Sequence, residues 1–195
     1  MDYPEGATPL DPDELQGLKF KHIETRGELD QMEQVNIQSG LMWLDKQKKS
    51  DILSLQFCLE LHKRLFGEVW KWAGKYRQTE KNIGIHPFNI SVELKKLLDD
   101  VKAWIEFNTY TAKEVVLRFH HRLVYIHVFT NGNGRHARIM ADAVLKFIYS
   151  SRGLNWIGQN LQQISKQRKQ YIAALRSADA HDFEPLLSRF EISKE

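Results

Sequence analysis

The stretch His127-Val-Phe-Thr-Asn-Gly-Asn-Gly-Arg-His-Ala-Arg138 gathers a histidine, two glycines and two arginines into one short run. Histidine is the side chain whose ordinary pKa suits proton transfer near neutral pH, so His127 reads as a general base. Gly132 and Gly134 are free to take positive φ, which lets successive backbone N–H groups turn inward as an anion-binding nest. Arg135 and Arg138 add fixed charge with forked donors matched to phosphate oxygens. An Asn-Gly repeat alone reads as a turn between helices, with His127 as a cap. The coincidence of base, nest and two arginines points instead to phosphoryl or nucleotidyl transfer.

The elements around this run are helical. Apolar-periodic segments enter it from Ala112 to Ile126 and leave it from Ile139 to Tyr149. The run is therefore a tight loop at a helix N-terminus, whose dipole and unpaired N–H groups also favour an anion. Thr111-x-x-Glu114 caps the entering helix and Thr25-x-x-Glu28 caps an early one. Ser50 is the expected cap of a second helix carrying Ile52, Leu55, Leu59, His62 and Phe66 on one face and ending at Gly67. Ser91 is the expected cap of another, running to Asn108. His62 reads as a satisfied core histidine. His120 and His121 lack metal-ligand spacing and read as locally bonded. A late helix is expected over Gln159 to Ala178, with Leu161, Ile164, Tyr171, Ile172 and Leu175 inward, and Asp182 caps a last short one. Residues 1–24 read as an extended arm. Residues 78–90 lose the helical period, and Ile83–Ile85 and Phe88–Ile90 pair as a hairpin around His86-Pro87, with an irregular loop as the alternative. The reading is a single all-α domain over 1–195 with a small β-hairpin.

Composition narrows the class. With 195 residues, 42% hydrophobic and 27% charged, the chain can bury a sizeable core. A formal charge of +3 without a basic block argues against nucleic acid. Cys58 is the sole cysteine, so there is no disulfide framework, and its apolar neighbours make it a core residue. No apolar run of membrane-spanning length and no signal-peptide pattern is present, so a cytoplasmic, bacterial-type protein is expected.

The run 127–138 resembles the signature of the Fic family, written HPFx[D/E]GNGRxxR, and the likeness extends from Trp70-Lys-Trp-Ala-Gly-Lys-Tyr-Arg77 to about Ser151. The opening Pro4-Glu-Gly-Ala-Thr-Pro-Leu-Asp-Pro-Asp-Glu14 and Thr25-Arg-Gly-Glu28 is similar to a bacterial subgroup known as mobile mystery protein B. The resemblance implies a protein adenylyltransferase that moves AMP from ATP, with Mg²⁺, to a Ser, Thr or Tyr hydroxyl. It assigns His127 and Arg135 to catalysis and Gly132, Asn133, Gly134, Arg135 and Arg138 to nucleotide. It implies that the hairpin over Ile83–Ile90 is the flap that aligns the target protein by strand addition. Two positions depart from the signature. Val128 stands for the usual Pro, and Asn131 stands for the metal-binding carboxylate, where its amide oxygen can still ligate magnesium without adding charge. Phosphotransfer on the same fold, and a nucleotide-binding interaction module without catalysis, are the alternatives. Many relatives are restrained by a helix bearing [S/T]xxxE[G/N]. No strict match occurs, which favours restraint by a separate antitoxin-like protein or none, but Leu29-Asp-Gln-Met-Glu33-Gln is a degenerate candidate. Glu33 is then either a solvated helix residue or a restraint that pairs with Arg138.

Overall fold

The computed structural model describes residues 11–20, 22–23, 25–47, 51–156 and 166–193. In chain order its helices are α1 (Pro12–Leu15), α2 (Arg26–Asp45), α3 (Leu55–Phe66), α4 (Ile90–Glu106), α5 (Ala112–Ile126), α6 (Asn133–Phe147), α7 (Lys166–Asp179) and α8 (Glu184–Leu187). Side-chain caps set several of these starts. Thr25 Oγ1 accepts the Glu28 N–H at 3.2 Å while the Glu28 carboxylate returns to the Thr25 N–H at 2.9 Å, closing a capping box. Thr111 Oγ1 accepts the Glu114 N–H at the head of α5. Two expected starts move. Ser54, not Ser50, caps α3 through the Phe57 N–H at 3.1 Å, and Ile52 is buried ahead of the helix. A 3₁₀ turn, Pro87–Asn89, runs straight into α4, so Ser91 lies inside the first turn and does not cap it. Proline at the first turn position, where no N–H is needed, favours that earlier start.

α2 packs on α3, α4 on α5, α5 on α6 and α7 on α8. Leu61 and Leu65 of α3, Leu94 and Val101 of α4, Val115, Phe119 and Leu123 of α5 and Met140 and Val144 of α6 meet in one core. Cys58 is fully buried there, and burial pushes its thiol up to about 12. Among the described residues no helix is long and apolar enough to cross a membrane.

The expected hairpin does not form. Among the described residues there is no strand, only two isolated antiparallel bridges, Leu18 with Trp70 and Leu154 with Ile192. Residues 78–86 are turns and irregular backbone instead. The Thr79 and Ile85 carbonyls accept from the Arg77 guanidinium, so they are taken by a side chain and not by a facing strand. The described part of the N-terminal arm is also not extended throughout, since it holds the turn α1. Beyond α1 it does run along the domain: the Lys19 N–H donates to Val69 O at 2.9 Å and the Lys71 N–H to Gly17 O at 2.8 Å. The late helix is described from Lys166, so Leu161 and Ile164 lie outside the described residues. Tyr171 is buried as expected.

The core contains histidines held neutral by burial. His127 and His136 are pulled down to about 4 and His120 to about 3, and His62 is also lowered, each mainly by desolvation of the charged form. Above pH 6.5 these groups are neutral folded or unfolded and cost nothing. Below it the unfolded chain binds protons that the folded chain refuses, so stability falls from about pH 6.5 toward about pH 4. Each such group contributes roughly 1.4 kcal/mol per pH unit inside that window. Urea midpoints measured from pH 7.5 to 4.5 are therefore expected to drop steeply below 6.5. A flat profile there means these histidines protonate in place.

Candidate active site

α5 ends on His127, which takes a left-handed conformation (φ 56°, ψ 62°) as its C-cap. Only glycine enters that region freely, so the backbone here is held by its surroundings. The holding group is Arg77, 1% exposed, whose Nε donates to His127 O at 2.6 Å and whose N–H donates to Val128 O at 3.1 Å. The imidazole is 4% exposed and lies against the Val124 carbonyl. Desolvation first, then the Arg77 and Lys81 charges, keep it neutral down to about pH 4. A neutral imidazole at physiological pH is the form that accepts a proton.

Phe129 is the anchor of the turn. It stacks on His62 with ring centres 3.6 Å apart and meets His136 edge-on at 4.9 Å. Asn133 closes the loop upon it: Asn133 Oδ1 accepts the Phe129 N–H at 2.9 Å and Nδ2 donates to Phe129 O at 2.7 Å. Asn133 therefore serves the loop with its side chain, leaving only its main chain for an anion. His62 is the satisfied core histidine that its sequence position suggests, and it supports the same turn. Its Nδ1 accepts the Gly74 N–H at 3.0 Å, so Nε2 carries the proton and donates to Asn131 O at 3.0 Å.

The nest is smaller than expected. Gly132 is left-handed (φ 78°) and serves as N-cap of α6, whereas Gly134 is already helical, one residue into the helix. Gly134 matters through space: a Cβ there would meet nothing closer than Arg138 Nη1, at 3.7 Å. That open ground at a helix N-terminus, with a guanidinium beyond it, is where an anion fits. Asn131 Oδ1 accepts the Gly132 N–H at 2.7 Å. The expected magnesium ligand thus offers one neutral oxygen already engaged, and no cluster of three or more acid, His or Cys side chains lies nearby among the described residues. This donor set does not fit a resident divalent ion.

The two arginines differ. Arg138 bonds the Tyr171 hydroxyl, which stands 2.8 Å from His120 Nε2. Arginine can only donate, so the hydroxyl accepts from it and donates its own O–H to Nε2 of the neutral His120. Arg135 is tied down. Its Nη1 meets Glu33 Oε2 at 2.6 Å, its guanidinium lies 4.6 Å over the Phe66 ring, and Glu33 Oε1 accepts from Trp70 Nε1 at 2.7 Å. Glu33, 6% exposed, is therefore not solvated, and its partner is Arg135, not Arg138. Sequence reasoning misses Tyr171, which its pattern marks only as an apolar position, and Arg77, whose one signal is a lone arginine in an aromatic, glycine-containing loop.

A family model described as the Fic/DOC family matches residues 52–145. Residues 52–145 belong to the Fic/DOC family. Among curated relatives, the protein adenylyltransferase Fic of Nematostella vectensis is 31% identical over 102 residues, covering 50% of this chain and 24% of that protein. The Drosophila grimshawi protein of the same name is 29% identical over 140 residues, covering 69% of this chain and 27% of its own length. This chain thus spans about a quarter of the curated relatives it matches. Among solved structures, Fic-1 of C. elegans superposes with a TM-score of 0.67 at 23% identity, over 89% of this chain and 50% of that one. BepC of Bartonella tribocorum, with bound AMPPNP, gives 0.68 at 15% identity over 94% and 100%. The Fic fold is thereby shared well beyond the matched segment, with its signature run on the loop that joins α5 to α6.

Proposed function

We propose that this Fic-family chain transfers AMP from ATP to a hydroxyl of a protein. The observation that carries the reading is His127: an imidazole kept neutral by burial and fixed at the end of α5, on the loop that leads into the anion-accepting start of α6. Relatives named protein adenylyltransferase, and a like-folded effector with bound AMPPNP, support the choice of donor and group.

His127 takes the acceptor's hydroxyl proton as that oxygen attacks the α-phosphorus. The new P–O bond forms in line with the breaking bond to the β-phosphate oxygen, and pyrophosphate leaves. The backbone at Gly132–Gly134 and the N-terminus of α6 hold phosphate oxygens. Arg138, steadied by Tyr171, offers its remaining donors to the outer phosphates, and Arg135 joins it once released from Glu33. Magnesium enters as the counter-ion of ATP and belongs to the substrate. The target approaches residues 83–90, where Phe88 stands 87% exposed and Ile83 is also open. An antitoxin-like inhibitor remains part of the proposal alongside Glu33.

Incubation with ATP labelled at the α- or the γ-phosphate, in the presence of Mg²⁺ and with bacterial lysate or the protein alone, decides the matter. Protein-bound label from the α-position only is the expected result. Label from the γ-position only makes the chain a phosphotransferase, and nucleotide binding with neither label makes it a binding module.

A further inference from the structure

Arg77 does more than close a turn. Its guanidinium is buried, and five main-chain carbonyls surround its backbone and side-chain donors: Ile126, His127 and Val128 at the end of α5, and Thr79 and Ile85 on the segment that covers it. Among the described residues no carboxylate forms an ion pair with it. The carbonyls of 126–128 are among those that a helix C-terminus leaves unpaired, and a cation there also meets the negative end of the helix dipole. The covering segment touches the same histidine. A Cβ at Gly84, whose φ is +98°, would lie 2.5 Å from His127 Cβ and 2.8 Å from Arg77 Nη2.

We propose that Arg77 is a positioning residue that fixes the backbone pose of His127 and, with the same guanidinium, seats residues 79–85 over it. The inference rests on His127 being the base of the transfer proposed above. One planar group thereby sets the distance between the base and the segment beside which the acceptor approaches. Lysine does not replace it, because a point charge with three donors cannot span both ends of the covering segment and the helix end together.

Charged and polar groups from two elements face His127. Arg77 stands just ahead of the covering segment and Lys81 lies within it, the Val124 carbonyl comes from α5, and Lys81 is itself bound by Asp11 and Glu14 of the N-terminal turn. Both cations disfavour the imidazolium, and the covering backbone excludes water from it. Loss of Arg77 removes one charge and loosens the cover, and both effects move the His127 titration upward.

The test is an NMR titration of ring-labelled histidine in the full chain, with the His127 signal assigned from His127→Gln, on wild type, Arg77→Gln, Arg77→Lys and Gly84→Ala. Arg77→Gln is expected to raise the His127 midpoint by about one pH unit or more. Gly84→Ala, which keeps the guanidinium but forces the cover away, is expected to raise it too. α-Label transfer falls at least tenfold in both, the acid limb of the rate shifts upward with the titration, and ATP affinity stays within twofold. Arg77→Lys, which keeps the charge but not the span, should raise the midpoint less than Arg77→Gln and recover little of the rate. A His127 midpoint unchanged in Gly84→Ala and in whichever Arg77 variants fold overturns the proposal and leaves Arg77 a helix cap. If wild type transfers no label, the titration still reads Arg77's hold on His127, so the two readings fail separately.

Discussion

His127→Ala is expected to abolish AMP transfer while leaving ATP affinity within about twofold. A positioned general base contributes roughly 10²–10⁴ in rate, and on the proposed function all of that resides in one imidazole. The affinity is spared because the ring acts on the acceptor's proton and holds no phosphate oxygen. Its neighbours are Gly84 and Arg77, whereas the open face of the anion site belongs to Gly134 and Arg138 on α6. Alanine at φ 56° keeps the same backbone penalty that histidine already carries, so the loop is not remade by the change. Calorimetry with a non-hydrolysable ATP analogue gives the affinity, and α-labelled ATP gives the rate. Losses of equal size in both would assign His127 to the architecture of the loop.

The helices and the loop are readable because their signals are local. The capping box at Thr25, the Thr111 side-chain cap (without the expected return from Glu114, which pairs with Arg118), the apolar faces of α4 and α5, and the run 127–138 all depend on residues within a turn or two of one another. Register slips where two local signals compete. Ser50 and Ser54 are both good caps, and Pro87 opens a turn that pre-empts Ser91. Gly134 reads as nest and is helix, because Asn133 turns its side chain back to Phe129 and starts α6 one residue earlier.

What sequence does not reveal is tertiary. Residues 83–90 read as a hairpin or an irregular loop; pairing needs free main-chain groups, and a buried arginine outside the stretch claims those at 79 and 85. Tyr171 looks like any core aromatic until α7 is laid against α5, where its hydroxyl meets His120 and the Arg138 side chain that reaches over from α6. Glu33 lies far from Arg135 in sequence, on a helix whose local pattern marks it as solvent-facing. Only the packing of α2 on α3, which brings Trp70 and Phe66 alongside, buries the carboxylate and shows which arginine it meets.

That pairing yields the second large effect, a gain. On the proposed function Glu33 occupies a donor of Arg135 that a nucleotide's phosphates need, so ATP would have to displace a short, largely desolvated ion pair before it could sit productively. Competition of this kind shifts the population toward a closed site by the differential affinity of the two occupants, typically about 1–3 kcal/mol, or about 5- to 150-fold. Glu33→Gly removes the restraint but also costs about 1 kcal/mol of helix propensity and strands the Trp70 indole N–H. Glu33→Gln is the cleaner change, since its amide oxygen still accepts from Trp70 and only the charge facing Arg135 is lost. Self-labelling from α-labelled ATP is expected to rise about tenfold or more in Glu33→Gln. The gain should vanish when Arg135→Ala is added, because the freed guanidinium is what performs the work. Adding Arg138→Ala instead lowers labelling from the raised level, yet Glu33→Gln still labels faster than the Glu33 parent when both carry that second change. If Glu33→Gln melts earlier and labels no faster, the carboxylate is there to neutralise Arg135 in the core, and restraint of the enzyme falls to a separate protein.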